Sequence, residues 1–130
     1  MRILQPPTWA KPKGYANGIA AKGTLVFVAG QIGWTGDGRW ETDDFAGQFA
    51  QALRNVVAVC AEADAKPEHI VRLAWFITDK RAYLASLGAI GAAYREIMGR
   101  HYPTMTVVEI GALVEDRAKI EIEATAVIPD

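Results

Sequence analysis

Two glutamates, Glu121 and Glu123, interrupt a run in which Ile120, Ile122, Ala124 and Ala126 alternate with them and with Thr125 and Val127. On a strand, residues two apart point the same way, so both carboxylates share one face. If that face is covered, at least one carboxylate needs partners, because an unpaired buried charge is expensive. One reading is a structural pair across an interface. The other is a carboxylate that orients a water or shuttles a proton. Of the two histidines, His69 sits in Pro67-Glu68-His69, a surface turn. His101 precedes Tyr102-Pro103 at a helix end. There it serves either as a C-terminal cation favoured by the helix dipole or as an acid/base group near a pocket. Trp34 and Trp40 lie in a turn-rich loop and either pack it or line a pocket, whereas Trp75 belongs to a core strand. Cys60, inside an apolar helical stripe, reads as a buried thiol without the cationic setting that activates one. Gly33, Gly36 and Gly38 do not lead into a phosphate-binding strand–loop–helix, and no Ser/His/Asp set has a usable spacing.

Composition narrows the classes. The chain has 130 residues, 51% of them hydrophobic, and 14 basic against 15 acidic side chains. This length favours one domain, 1–130, with a core that needs no staples. A net charge of −1 argues against nucleic acid as partner, which needs a basic face. It also gives no attraction to anionic membranes, and no apolar run approaches the roughly 20 residues of a span. One cysteine excludes a disulfide framework and a multi-cysteine zinc site. The N-terminal stretch MRILQPPTW carries no apolar export segment, which points to a cytoplasmic protein.

The elements that must position these groups follow from periodicity. Arg2 to Leu4 reads as a short strand. Gly18 to Lys22 and Thr24 to Ala29 flank Gly23 as a tight hairpin. Leu25 to Val28 is continuously apolar and reads as a strand buried on both faces. Thr42, Asp43 and Asp44 offer caps for a helix whose stripe is Phe45, Phe49, Leu53, Val56, Val57 and Cys60. Ile70 to Thr78 is a strand with Leu73, Trp75 and Ile77 on one side. Lys80 to Arg100 reads as one helix with the stripe Leu84, Leu87, Gly91, Tyr94 and Met98, stopped by Pro103. Thr106 to Ile110 and Ala118 to Val127 complete the strands. The order predicts an α+β unit, a single sheet with two helices packed on one face. The second sheet face then wants a partner subunit, and a closed symmetric ring is the common solution.

Several segments, in order, resemble one family. Leu25-Val-Phe-Val-Ala-Gly-Gln-Ile32 resembles the apolar strand and S-G-Q-[IL] turn of the RidA/YjgF reactive intermediate deaminases. Gly14-Tyr15 is similar to their G-x-Y loop, Gln51 to Asn55 to a helix motif ending in Asn, and Lys119 to Ala126 to their C-terminal strand. The resemblance spans nearly the whole chain. It implies a chorismate-mutase-like fold, a homotrimer with pockets at the subunit interfaces, and hydrolysis of imines or enamines to keto acids and ammonia, with neither metal nor organic cofactor. Residue by residue, it implies that Tyr15 shapes the cleft, that Gly30 and Gln31 form the turn, and that Glu121 positions water.

The departures are as informative. Where active members read P-A-R-[ST], with the Arg gripping the substrate carboxylate, this chain reads Pro103-Thr104-Met105-Thr106. Methionine offers polarizable contact and no charge, and a bidentate charge-assisted grip is lost with the Arg. Ala29 replaces the family serine, and Gly91 stands for a pocket Asn. These changes argue against 2-aminoacrylate as the substrate. An apolar cleft with Trp34, Met105 and Glu121 suits a larger enamine, such as those from aromatic-ring breakdown on which some family branches act. The carboxylate anchor then comes from elsewhere, His101 or a neighbouring chain's arginine. The alternative is a non-catalytic trimer that binds a small metabolite.

Overall fold

The computed structural model describes residues 1–130. The elements are β1 (Arg2–Leu4), β2 (Gly18–Ala20), β3 (Thr24–Ile32), α1 (Phe45–Ala61), β4 (Ile70–Ile77), α2 (Lys80–Ala85), α3 (Leu87–Met98), β5 (Thr104–Glu109) and β6 (Ile120–Ile128), with a 3-10 turn at Pro67–His69. Four strands form one sheet in the order β3-β6-β4-β5, and β1 and β2 form a separate two-stranded ribbon. Strand β6 runs antiparallel to both β3 and β4, while β4 and β5 are parallel. The architecture is α+β, as expected, but with two sheets and three helices. No helix is long and apolar enough to cross a membrane.

Helix α1 starts where its side chains say it should. The Asp44 carboxylate accepts from the Gly47 N–H at 2.9 Å, answering one of the free donors of the first turn. Its buried stripe of Phe45, Phe49, Leu53, Val56 and Cys60 faces β3 and β6 and also packs on α3. Gln48 is the buried polar exception. Its amide donates to the carbonyls of Thr42 and Arg117 and accepts from the Lys119 N–H at 2.8 Å, fastening the helix start to the segment that enters β6. In β6, Ile120, Ile122, Ala124 and Ala126 are buried beneath the helices, and Glu121, Glu123 and Thr125 stand on the opposite face.

Three local expectations are corrected. Gly23 is not a hairpin turn: β2 pairs with β1, and β3 pairs with β6. A side chain at Gly23, whose φ is +149°, would collide with the Ile128 carbonyl, so glycine there lets the end of β6 pass. Nor is β3 buried on both faces, since Phe27 is 74% and Leu25 57% exposed. The predicted Lys80–Arg100 helix is broken at Ser86, whose hydroxyl donates back to the Ala82 carbonyl at 2.7 Å. There the backbone leaves helical geometry for one residue, with φ −112° and ψ 11°. Leu84 and Leu87 of the expected stripe are both exposed, and the buried residues of α3 are Ile90, Tyr94 and Met98.

Candidate functional site

The residues singled out in the sequence fall into separate places. Tyr15, Gly91 and Met105 line a cleft of about 650 Å³. Its floor comes from the helix-side positions of β4 and β5, namely Trp75, Met105 and Val107, and its wall comes from α3. The loop that carries Tyr15 is pinned to the free edge of β5. Ala16 bridges to Thr104 and its N–H donates to the Pro103 carbonyl at 3.0 Å. From α2, Tyr83 also lines the cleft. Tyr94 and Tyr102 stack at 5.4 Å with their rings nearly parallel, and the Tyr94 hydroxyl donates to the His101 carbonyl at 2.6 Å. Burial, with Tyr102 adding to it, pushes the Tyr94 hydroxyl far above the usual tyrosine range.

Glu121, Gly30 and Gln31 lie elsewhere, at the junction of β3 and β6. Between Val28 and Gln31 the register slips, so Ala29 and Gly30 together oppose Glu123 as a bulge. The Glu121 side chain lies over Gly30, and a β-carbon at 30 would run into its carboxylate. The Gln31 amide folds onto the bulge and donates to the Ala29 carbonyl at 3.1 Å. Glu121 makes no ion pair or side-chain hydrogen bond, unlike Glu123, which meets Arg72 at 3.4 Å. Thr106 is exposed on the same open face, in the register row of Ala74 and Glu123. Glu121 and Met105 therefore stand on opposite faces of the sheet, two strands or about 10 Å apart in sheet order.

The remaining candidates are not in the cleft. Trp34 packs at 5.8 Å on Trp40, which carries the Arg117 guanidinium above its ring. The backbone at Trp34 is held by Asn55, whose amide donates to the carbonyls of Ile32 and Trp34. His101 has its Nε2 at 2.6 Å from the Ile70 carbonyl, tying the end of the α3 segment to β4, and lines a smaller cavity that shares Tyr15 and Tyr102 with the cleft. His69 caps its own turn by accepting from the Lys66 N–H. Cys60 is fully buried, and burial pushes its thiol up. No cluster of three or more His, Cys, Asp or Glu is placed to hold a metal ion.

Sequence reasoning missed Lys13 and Arg95, the two cations of the cleft, and its aromatic neighbours Tyr83 and Tyr102. Arg95 was detectable: it lies four residues after Gly91 and so shares its helix face. Tyr83 was detectable in the same way, since helical spacing puts it on one face with Leu87, Ile90 and Tyr94.

Comparison with known proteins bears on both groups. The family model described as Endoribonuclease L-PSP matches residues 8–128. The chain is 32% identical over 116 residues to the 2-iminobutanoate/2-iminopropanoate deaminase of Salmonella typhimurium, covering 87% of this chain and 86% of that one. It is equally similar to TdcF of Escherichia coli strain K12, again over 87% of this chain and 85% of the relative. Among solved structures, the Rid-family protein YyfB of Yersinia pestis superposes with a TM-score of 0.85 at 28% identity, covering 98% of each chain. E. coli TdcF with bound serine superposes at 0.69, with 30% identity over 98% of this chain and 99% of that one. The match spans both the bulge that holds Glu121 and the strand that carries Met105, and on that basis the chain belongs to the RidA/YjgF family.

Proposed function

We propose that this protein is an imine or enamine deaminase acting on a substrate other than 2-aminoacrylate, in a site built between two copies of the chain. The observation that carries the reading is the Glu121 carboxylate: unpaired, half-buried and seated over a glycine whose β-carbon would displace it. Such a carboxylate is free to accept a proton from water. Water adds to the carbon of the protonated C=N group as Glu121 takes a proton from the water, giving a neutral carbinolamine. That proton returns to nitrogen; then the C–N bond breaks, ammonia leaves and Glu121 takes the hydroxyl proton as the carbonyl forms. An enamine first gains a proton on carbon to become the imine. No metal or organic cofactor is needed for these steps.

A single chain holds Glu121 over Gly30 on one sheet face and the cleft of Tyr15, Gly91 and Met105 on the other, while Gln31, in register with Ile122, points to the helix side. Association of the open face of one copy with the cleft edge of another brings the two groups to one substrate. A homotrimer does this with three equivalent sites. The exposed Leu25, Phe27 and Val108 on the open face support that assembly. A net charge of −1 speaks against RNA as the substrate, whatever the name of the family model.

The loss of the family arginine to Met105 favours a second reading, a trimer that binds a metabolite without turning it over. Coupled turnover separates the two. Imines from small 2-iminopropionate to larger aminomuconate-like species are generated in situ, and ammonia and keto acid are followed. Wild-type turnover that falls by about 10²–10⁴-fold in Glu121→Gln, the usual weight of a general base, establishes the deaminase. A silent wild type with activity gained on the small imine in Met105→Arg establishes the binding trimer.

A further inference from the structure

We propose that Arg95, assisted by Lys13, is the carboxylate anchor of the cleft, and that the cleft takes an aromatic or similarly bulky apolar 2-keto acid or its imine. The proposal rests on the reading of the cleft as the substrate site. Arg95 lies one helical turn after Gly91 on α3, and its Nη1 is 3.3 Å from where a Gly91 β-carbon would be. The guanidinium is thus folded back along the helix over the glycine, among the groups that line the cleft. It has no anionic partner: the ion pairs of the chain use Arg39, Arg54, Arg72 and Arg117. No aspartate or glutamate lines the cleft, so the charges of Lys13 and Arg95 stand uncompensated there. A concave site with charge of one sign attracts the opposite one, and a guanidinium grips a carboxylate through two parallel hydrogen bonds.

The rest of the cleft describes the body of the ligand. Trp75, Tyr83, Tyr94 and Tyr102 present aromatic surface, and Met105 adds a polarizable sulfur suited to a ring edge. A volume of about 650 Å³ suits a ligand much larger than three carbons. With methionine at 105 the sheet floor is apolar, and the positive charge has moved to the helical wall. A carboxylate held by Arg95 leaves that floor to an apolar group. The floor also carries an unanswered donor, since the buried Trp75 Nε1–H has no acceptor.

Calorimetric titration of the full chain with phenylpyruvate, pyruvate and the uncharged 4-phenylbutan-2-one tests this. Phenylpyruvate is expected to bind at least about 10-fold more tightly than pyruvate, and Arg95→Ala to weaken phenylpyruvate by about 10-fold or more while leaving the neutral ketone within about twofold. Arg95→Lys restores part of the loss, as a point charge without the fork does. Equal binding of phenylpyruvate by wild type and Arg95→Ala overturns the anchor, and pyruvate binding as tightly as phenylpyruvate overturns the ligand class. Imine turnover indifferent to Arg95→Ala removes the anchor and leaves the deaminase standing. Phenylpyruvate binding that requires Arg95, in a protein without turnover, keeps the anchor and removes the deaminase.

Discussion

Gly30 and Glu121 are coupled by space. Gly30→Ala forces the carboxylate off the bulge, and because the collision involves the end of a flexible side chain the fold survives it. The expected result is a loss of imine turnover comparable with that of Glu121→Gln, with a melting temperature within a few degrees of wild type. A large fall in melting temperature would mean that the glycine serves the sheet and not the carboxylate. Cys60 gives a second test at this scale. Burial raises its thiol, so the native protein is expected to resist alkylation at pH 8 and to react once unfolded. Fast labelling of the native chain would show that the core opens at α1.

At the scale of elements, helix α1 was legible almost to the residue because its stripe repeats at three and four and Asp44 announces the start. The β6 alternation was equally legible, and the face it assigned to Glu121 is the face observed. What escaped the sequence depends on partners far along the chain. The pairing of β1 with β2, the passage of β6 over Gly23 and the pinning of the Tyr15 loop to Pro103 have no local signature. The candidate site was half legible: motif resemblance singled out Glu121, Gly30 and Tyr15 as candidates, but gave no sign that the sheet stands between them. Gln48 is another distant linker, joining α1 to Arg117 and Lys119. Gln48→Leu leaves buried backbone groups without partners at about 1–3 kcal/mol each. A corresponding fall in unfolding free energy is expected from denaturant titration, and an unchanged midpoint would mean that water replaces the amide.

The whole molecule has an open sheet face with Leu25, Phe27 and Val108 exposed beside its polar groups, and a strongly buried interior, and each makes an expectation. Phe27→Lys, on the exposed face of β3, is expected to turn a species of three chain masses into the monomer by analytical ultracentrifugation, with turnover lost in parallel. A monomeric wild type would remove the shared site. The interior sets the alkaline limit. Tyr94 and Cys60 have raised values in the folded chain, so above their ordinary values, about pH 10 and 8.5, the unfolded chain releases protons that the folded chain keeps. Stability therefore falls as pH rises, by up to about 1.4 kcal/mol per pH unit for each group in that window. Tyr94→Phe is expected to flatten the alkaline limb of the melting curve.

The bulge at Ala29–Gly30 has a bearing on solubility as well as on the carboxylate it seats. β3 forms one margin of the four-stranded sheet, and no strand of the chain pairs with its outer side. A straight nine-residue margin of this composition would template further strands end over end. The kink confines the flush part to Thr24–Val28 and twists the remainder away. The opposite margin, β5, is already stitched at Thr104 by Ala16. Strand addition is thus hindered along the far half of β3 and at the start of β5, which lowers the tendency of the exposed sheet to seed a fibre.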